Sequence, residues 1–564
     1  MTMTNPSPDA QSNGVAATPT RPTNPLVTPL LTDLYQITMT YAHWKIGKHS
    51  DPAVFELFFR KNPFKGQFTI FCGLDECLKH LSTFQFSADE VNYLRSLPSL
   101  SHCEEGFFEY LLQLDTSELH VSALQEGSIV FPRVPMIMIQ APLGLGQLLE
   151  TTLLNLVNYP SLIATNAARM VLRAQSIPCV EFGLRRAQGP DGACSASKYS
   201  FIGGFVGTSN VQAGKLNSMT VWGTHAHAYV QSFASLDGIE ALTLAHATTG
   251  EQVALLPKVL EYREKDPGNT VTNDGELAAF VAYACAFPDK FLCLVDTYDT
   301  LKSGLLNYCY VALALIEMGY HPRGIRLDSG DLVALSLACK DKFQQLAASA
   351  GSNDVNKAIW ETQMIAASND INEKVLHDLS NKSHGMNAFG IGTNLVTCQA
   401  QPALGCVYKL VECQGQPRIK LSQELVKVTL PGRKRVYRIL QETSDSDGRN
   451  EPCDVMTLAH EPMPQSGQAL ECFDPSMLGQ ESTIVTVTPS TVIELHSNVF
   501  EKGKVIKPVA SIIESQQFVK EQLKTLPDKV TQYEDPRIYR VYISKALHQY
   551  LRDLWEKLKP KESM

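Results

Sequence analysis

GIRLDSGDLVALSLACKDKFQQLAASAG, residues 324–351, is a short apolar run, a polar corner and then helix-like sequence. The same order returns along the middle of the chain in IPCVEFG (177–183), FIGGFVGTSN (201–210), MTVWGTHAH (219–227), FLCLVDTYD (291–299), MIAASNDIN (364–372) and NAFGIGTN (387–394). Apolar runs bounded by turn residues read as buried strands, and strands alternating with helices read as a parallel sheet. Seven such units can close a ring, so the centre of the chain, 161–400, is predicted to be an irregular parallel α/β barrel.

Outward from that centre the text changes. Residues 28–160 mix aromatic-rich runs such as AVFELFFRKNPF and SIVFPRVPMIMIQAPLG with helical periodicity in LLTDLYQITMTYAHWK, which predicts an α+β sandwich-like domain. Residues 1–27 are rich in Thr, Pro, Asn and Ser without periodicity, and a segment that buries so little apolar surface is expected to be a disordered arm. Beyond the barrel, 401–440 alternates again and is expected to send strands back to the N-terminal sheet. Residues 441–564 are expected to be loop-rich, then helical, because ASIIESQQFVKEQLKTL and YISKALHQYLRDLWEKLKPK place apolar residues three and four apart.

Composition excludes several classes of function. Lys and Arg number 49 against 58 Asp and Glu, a net charge of −9, so no basic field is available for nucleic acid. No run reaches the ~18 apolar residues of a membrane helix, and the first 25 residues lack the basic flank and apolar core of a signal peptide. The expectation is a cytosolic protein without a nucleic-acid or membrane partner. Fourteen cysteines with no CxxC spacing read as reduced core thiols.

In a parallel barrel the strands' carboxyl ends share one pocket, so corners far apart in sequence converge. They carry Phe182, Arg185 and Arg186; Thr208 and Asn210; Thr224, His225 and His227; Asp296, Thr297 and Asp299; Arg326, Asp328, Ser329 and Asp331; Ser368, Asn369 and Asp370; and Gly390, Gly392, Thr393 and Asn394. Arginines for anions, carboxylates for hydroxyls or magnesium and one glycine-rich corner describe a site for a phosphorylated sugar. Each corner also has a plainer reading. Gly392 and Thr393 either let backbone N–H groups approach a phosphate or form a tight capped turn. Arg326 and Asp328, two apart on a strand, face one ligand or pair with each other. Phe182 and Arg185 suit a flat anionic heterocycle, or are a core ring beside a solvated cation.

GTHAHAY (223–229) leaves three options open: two histidines on one side of a strand ligating a metal, a helix cap with a second polar histidine, or an imidazole that accepts a phosphoryl group while a carboxylate orients it. A generic barrel lyase or isomerase lacks its Schiff-base lysine or glutamate base at these corners.

Ten ordered motifs carry a resemblance: TDLYQITM, FELFFRKNPF, TNAAR, EFGLRRAQGPDG, GTHAHAYV, LVDTYDT, IRLDSGDL, ASNDINE, FGIGTNLVT and PRIKLSQELVKVTLPGRKRVYR, between about Leu30 and Arg438. Together they closely resemble the nicotinate phosphoribosyltransferase family of the eukaryotic type. The resemblance implies a type II phosphoribosyltransferase: an N-terminal sandwich-like domain, an irregular barrel, and a homodimer with shared active sites. It implies that nicotinate and 5-phosphoribosyl 1-diphosphate are joined to give nicotinate mononucleotide and diphosphate, the first step from nicotinate towards NAD. Coupling to ATP hydrolysis through a phosphohistidine, with Mg2+ or Mn2+, follows from the same likeness.

Carried over by motif, His227 falls on the phosphorylated residue, where the family more often has an apolar residue at position 225 and Ser at 228. Asp296 resembles the carboxylate orienting the histidine or ribose, Arg326 the arginine facing the pyridine carboxylate, Asp328 the ribose-binding acid and Thr224 a contact to nicotinate. Phe182 and Tyr35 resemble the aromatic pair around the pyridine, Tyr35 coming from the partner subunit. Gly392 and Thr393 resemble the 5-phosphate site, with Arg185, Arg169, Lys420 and Lys427 assigned to phosphate or diphosphate. The rival readings are a nicotinamide phosphoribosyltransferase, which needs less cationic surroundings, and a catalytically silent metabolite-binding scaffold, which is expected to have lost the histidine or its acid.

Overall fold

The computed structural model describes residues 21–266, 272–351, 353–421, 428–442, 450–475 and 484–558. Its centre is a parallel sheet in the order Leu292–Leu294, Gly324–Leu327, Met364–Ala367, Ala388–Ile391, Cys179–Glu181, Gly207–Thr208. The last of these strands in sequence pairs with the first, Phe389 opposite Cys179 and Ile391 opposite Glu181, so the sheet curls back on itself as a barrel does. A single parallel bridge, Thr208 to Val221, extends the ring by one position. Among the described residues the ring stays open between Val221 and Leu292–Leu294, which is the irregularity of this barrel.

Two of the seven expected strands are shorter than their apolar runs. Phe201 and Ile202 end the helix Gly189–Ile202, and the strand begins only at Gly207. Gly203 explains the difference, since a Cβ there would lie 2.5 Å from the Ala164 carbonyl oxygen. The run is spent on packing this helix against Glu150–Ala174. MTVWGTHAH contributes one bridge at Val221 and then leaves the sheet, so His227 starts the helix His227–Gln231 instead of ending a strand.

The N-terminal sheet has seven antiparallel strands. Pro52–Phe59 lies between Ile137–Pro142 and Cys406–Cys413; His120–Ala123, Ser497–Glu501 and Lys504–Val505 extend one edge, and Gln416–Pro417 the other. All of Pro52–Phe59 after its first residue is buried, the one acid in its apolar text, Glu56, included. Lys434–Glu442, expected in this sheet, opens a third one instead and pairs with Asn450–Leu458 over nine positions. Nor is 441–564 merely loops and helices, because five further strands of that third sheet and two of the N-terminal sheet come from it. Period-two alternation marked Lys434–Glu442 as a strand but carries no information on its partner. The partner is the next strand in the chain, with Arg438 meeting buried Asp454 at 2.9 Å across the pair, while buried Lys434 meets buried Glu56 of Pro52–Phe59 at 3.0 Å and ties the third sheet to the N-terminal one. The helices Ile512–Thr525 and Lys545–Leu558 complete this end, the first opened by a Ser511–Glu514 capping box.

Residues 21–27 of the expected disordered arm are held in place, with the Thr23 N–H and hydroxyl donating to Glu76 at 2.8 and 2.7 Å; residues 1–20 lie outside the described residues. No described helix is long and apolar enough to cross a membrane.

Candidate active site

The carboxyl ends of the barrel strands converge on one pocket. Its walls are Phe182, Arg185 and Arg186 after the first strand, Arg326 and Asp328, Ser368 to Ile371, and Gly392 to Asn394. Each corner arrives because its strand ends there and a helix follows. Gly390 gives the Phe182 ring its room, since a Cβ at 390 would sit 2.5 Å from that ring. The Arg326 guanidinium lies 5.3 Å from the Phe182 ring centroid, so cation and aromatic face form one wall.

Arg326 and Asp328 do pair, Nη2 to Oδ1 at 3.2 Å, yet both remain part of the pocket wall. The ion-pair and ligand readings therefore describe the same two side chains. Asp328 also approaches His227: its Oδ2 lies 3.9 Å from the ring Nε2, and Asp296 Oδ1 lies 4.0 Å from the same atom. The Asp296 side chain is almost fully buried. Its Oδ2 accepts from the Asp328 N–H at 3.1 Å and from the Ser329 hydroxyl, while its Oδ1 has no hydrogen-bond partner. On the other side of the imidazole, Nδ1 lies 3.1 Å from the Thr297 hydroxyl. Two carboxylates beside Nε2 favour the tautomer with its proton there, in which the Nδ1 lone pair accepts from the Thr297 hydroxyl.

His225 is different. Its buried ring lies among Tyr229, Phe280 and Tyr283, neither ring nitrogen has a partner, and burial pushes its pKa down to about 4. The two histidines diverge because the chain leaves the sheet before them, so the shared strand face required for joint metal ligation does not exist. No cluster of three His, Cys, Asp or Glu side chains suited to a metal occurs among the described residues.

Behind Asp296 the corner is braced. Buried Glu276 accepts from the Ser303 hydroxyl at 2.6 Å and from the Asn307 amide at 3.0 Å, fixing the widened turn Thr300–Gly304. Gly304 is required there, for a Cβ would fall 1.9 Å from the Val295 carbonyl oxygen. The sequence signal for Glu276 is the second of two acids in the first turn of the otherwise apolar helix DGELAAFVAYACA. Burial pushes its carboxyl up to about 7, with Asp296 and Asp299 adding to the rise against the hydrogen bonds. Such a group binds more protons folded than unfolded, so its contribution is fully present below about pH 4.5 and is lost as pH rises through 7. Glu276→Gln is expected to flatten the fall in stability between pH 5 and 8 by on the order of 2–3 kcal/mol, measured by urea unfolding at each pH. Glu126, also pushed up to about 7 by burial, keeps its own slope in both proteins.

The remaining candidates stand elsewhere. Thr224 is half-buried next to His225 and does not line the Arg326 pocket. Arg169 is buried and donates to Glu373 at 2.8 Å, a structural pair at the back of the 368–373 corner. Lys420 is exposed away from the pocket lining, and Lys427 lies outside the described residues. Tyr35 stands half-exposed on the helix Leu34–Lys45 and does not line this chain's pocket. Ser368, Thr297 and Ser329, present at the corners without assigned roles, prove to hold Arg326, His227 and Asp296 in place.

Residues 30–158 match the nicotinate phosphoribosyltransferase N-terminal domain, 317–452 the nicotinate phosphoribosyltransferase family and 433–551 its C-terminal domain. The chain is 46% identical to nicotinate phosphoribosyltransferase of Caenorhabditis elegans, covering 94% of each chain, and 46% identical to nicotinate phosphoribosyltransferase 1 of Arabidopsis thaliana, covering 95% of each. It is also similar to the crystal structure of human nicotinic acid phosphoribosyltransferase, with a TM-score of 0.81 and 40% identity over 93% of this chain and 99% of the other.

Proposed function

This chain belongs to the nicotinate phosphoribosyltransferase family, and from that membership we propose that it joins nicotinate to 5-phosphoribosyl 1-diphosphate, releasing diphosphate and forming nicotinate mononucleotide. The observation that carries the reading is the joining of Arg326, Phe182, Asp328 and His227 in one constellation. A guanidinium against an aromatic face matches a flat ring bearing a carboxylate. Asp328 accepts from the ribose hydroxyls. Arg185 and the backbone at Gly392 and Thr393 hold the phosphate end of the sugar, with Arg186 at the same rim.

Bond formation at the anomeric carbon requires the pyridine nitrogen behind a departing diphosphate, so the chain's task is to align the two and to stabilise developing charge. We further propose coupling to ATP. Once the Thr297 hydroxyl lets go of it, the Nδ1 lone pair of His227 attacks the terminal phosphorus, ADP departs and a phosphoramidate forms; Asp296 and Asp328, 4.0 and 3.9 Å from Nε2, stabilise the cationic ring by their charge. Later hydrolysis of the N–P bond returns inorganic phosphate and the free imidazole. Asp328 and Asp370, separate hard oxygen ligands in the pocket wall and not a closed protein cage, would hold a Mg2+ or Mn2+ that arrives with the substrate. When bound, such an ion would neutralise diphosphate charge. The proposal includes a homodimer and a cytosolic location.

The scaffold reading is disfavoured by His227, Asp296 and Asp328 all being present and in register. Incubating the protein with nicotinate, phosphoribosyl diphosphate, Mg2+ and ATP should yield the mononucleotide; a product formed from nicotinamide and not from nicotinate would favour the rival base. Arg326→Ala is expected to weaken nicotinate use by about one to two powers of ten, the worth of a charge-assisted pair of roughly 1.5 to 3 kcal/mol, and to leave nicotinamide inhibition nearly unchanged. Equal losses for both would assign Arg326 to a structural pair with Asp328 alone.

A further inference from the structure

Ser368 stands between the two charged residues that the proposed reaction uses. Its backbone is pinned first: the Ser368 N–H donates to the Leu327 carbonyl at 3.0 Å, continuing the parallel ladder in which Arg326 lies opposite Ala366 and Leu327 opposite Ala367. Its hydroxyl then works in both directions. It accepts from Arg326 Nε at 2.7 Å and donates to Asp328 Oδ1 at 2.5 Å, the oxygen that also takes Arg326 Nη2 at 3.2 Å. A hydroxyl has one proton to give, and giving it to the carboxylate turns a lone pair towards the guanidinium. Arg326, Ser368 and Asp328 thus close a three-membered ring of hydrogen bonds on the Nε–Nη2 edge of the arginine.

Closing one edge leaves the other free. The guanidinium carbon lies over the Phe182 ring, and the Nε–Nη2 edge is taken by Ser368 and Asp328, so the edge left to a ligand is the one formed by Nη1 and Nη2. Gly390 leaves room for this arrangement, since a Cβ there would be 2.5 Å from the Phe182 ring and 3.2 Å from Ser368 Cβ. We propose that Ser368 is the positioning residue for base specificity: by occupying the Nε side of Arg326 it presents the Nη1–Nη2 edge to an aromatic carboxylate, and through Asp328 it links that presentation to the sugar site. This inference rests on the proposed function and names the residue that gives its base selectivity.

The test is Ser368→Ala with Ser368→Thr as the hydroxyl-keeping control. Without the hydroxyl the arginine loses its Nε partner and keeps only the longer Asp328 contact on that edge, so the KM for nicotinate should rise about tenfold, with kcat changing less than about threefold. The inhibition constant of nicotinamide, which has no carboxylate, should move by less than about twofold. Ser368→Thr should restore most of the nicotinate KM. An unmoved nicotinate KM in Ser368→Ala, equal shifts for acid and amide, or a threonine variant as weak as the alanine one would each overturn the proposal. Calorimetric titration of nicotinate into the unmodified and alanine proteins separates this from the activity: an unmodified protein that forms no mononucleotide defeats the proposed function, while the ratio of the two binding constants still reads the role of Ser368.

Discussion

Replacing His227 with alanine is expected to abolish an acid-labile phosphoenzyme and the stimulation of mononucleotide synthesis by ATP, lowering ATP-supported turnover by about two powers of ten or more. A phosphoramidate survives base and is lost in acid, so labelled enzyme can be digested under alkaline conditions and the labelled peptide mapped. Slow ATP-independent synthesis should persist, since alignment of nicotinate with the sugar does not pass through the imidazole. The control is His225→Ala. That ring sits unpartnered among Tyr229, Phe280 and Tyr283, and its loss should lower the unfolding temperature while the phosphoenzyme still forms. If label remained in His227→Ala and vanished in His225→Ala, the assignment would be reversed. Asp296→Asn gives an intermediate case: a neutral amide 4.0 Å from Nε2 no longer stabilises a cationic ring, so phosphoenzyme should form more slowly on a correctly folded protein.

The barrel was legible because each strand is short, apolar and bounded by a polar corner, and because parallel strands deliver their corners to one end. Arg326, Asp328, Phe182 and the 390–394 glycines follow directly from that rule. What the local text could not show was where a strand stops. Two histidines two apart read as neighbours on one face, yet the chain leaves the sheet at Val221 and the rings part. Glu276 illustrates a second limit, for its partners Ser303 and Asn307 lie 27 and 31 residues away and nothing in the spacing announces them. The third sheet shows the same limit on a larger scale. KRVYRILQE reads as a strand, but its alternation does not say whether it pairs with the next strand, Asn450–Leu458, or returns to Pro52–Phe59. The family's use of nicotinate came from the resemblance and not from any of these patterns.

Tyr35→Ala and His227→Ala, each expected to be nearly inactive alone in ATP-supported synthesis, should restore activity when their subunits are mixed. Tyr35 is 48% exposed on the helix Leu34–Lys45, beside the exposed Leu34, and does not line the pocket of its own chain. An aromatic ring proposed to stack on the pyridine must therefore reach a pocket other than its own, and a second copy of the chain is the proposed source. In a mixed dimer one site then receives both defects and the other receives neither. Random exchange at equal amounts makes half the dimers mixed, so about a quarter of all sites should be intact and activity should rise to about a quarter of the unmodified level. The recovered activity should have the nicotinate KM of the unmodified protein, because each restored site is complete. Were Tyr35 and His227 to serve the same site from one chain, every site in every mixture would carry at least one defect. Activity that stayed at the level of the two parents, after exchange had been verified with differently tagged subunits, would reject the shared site.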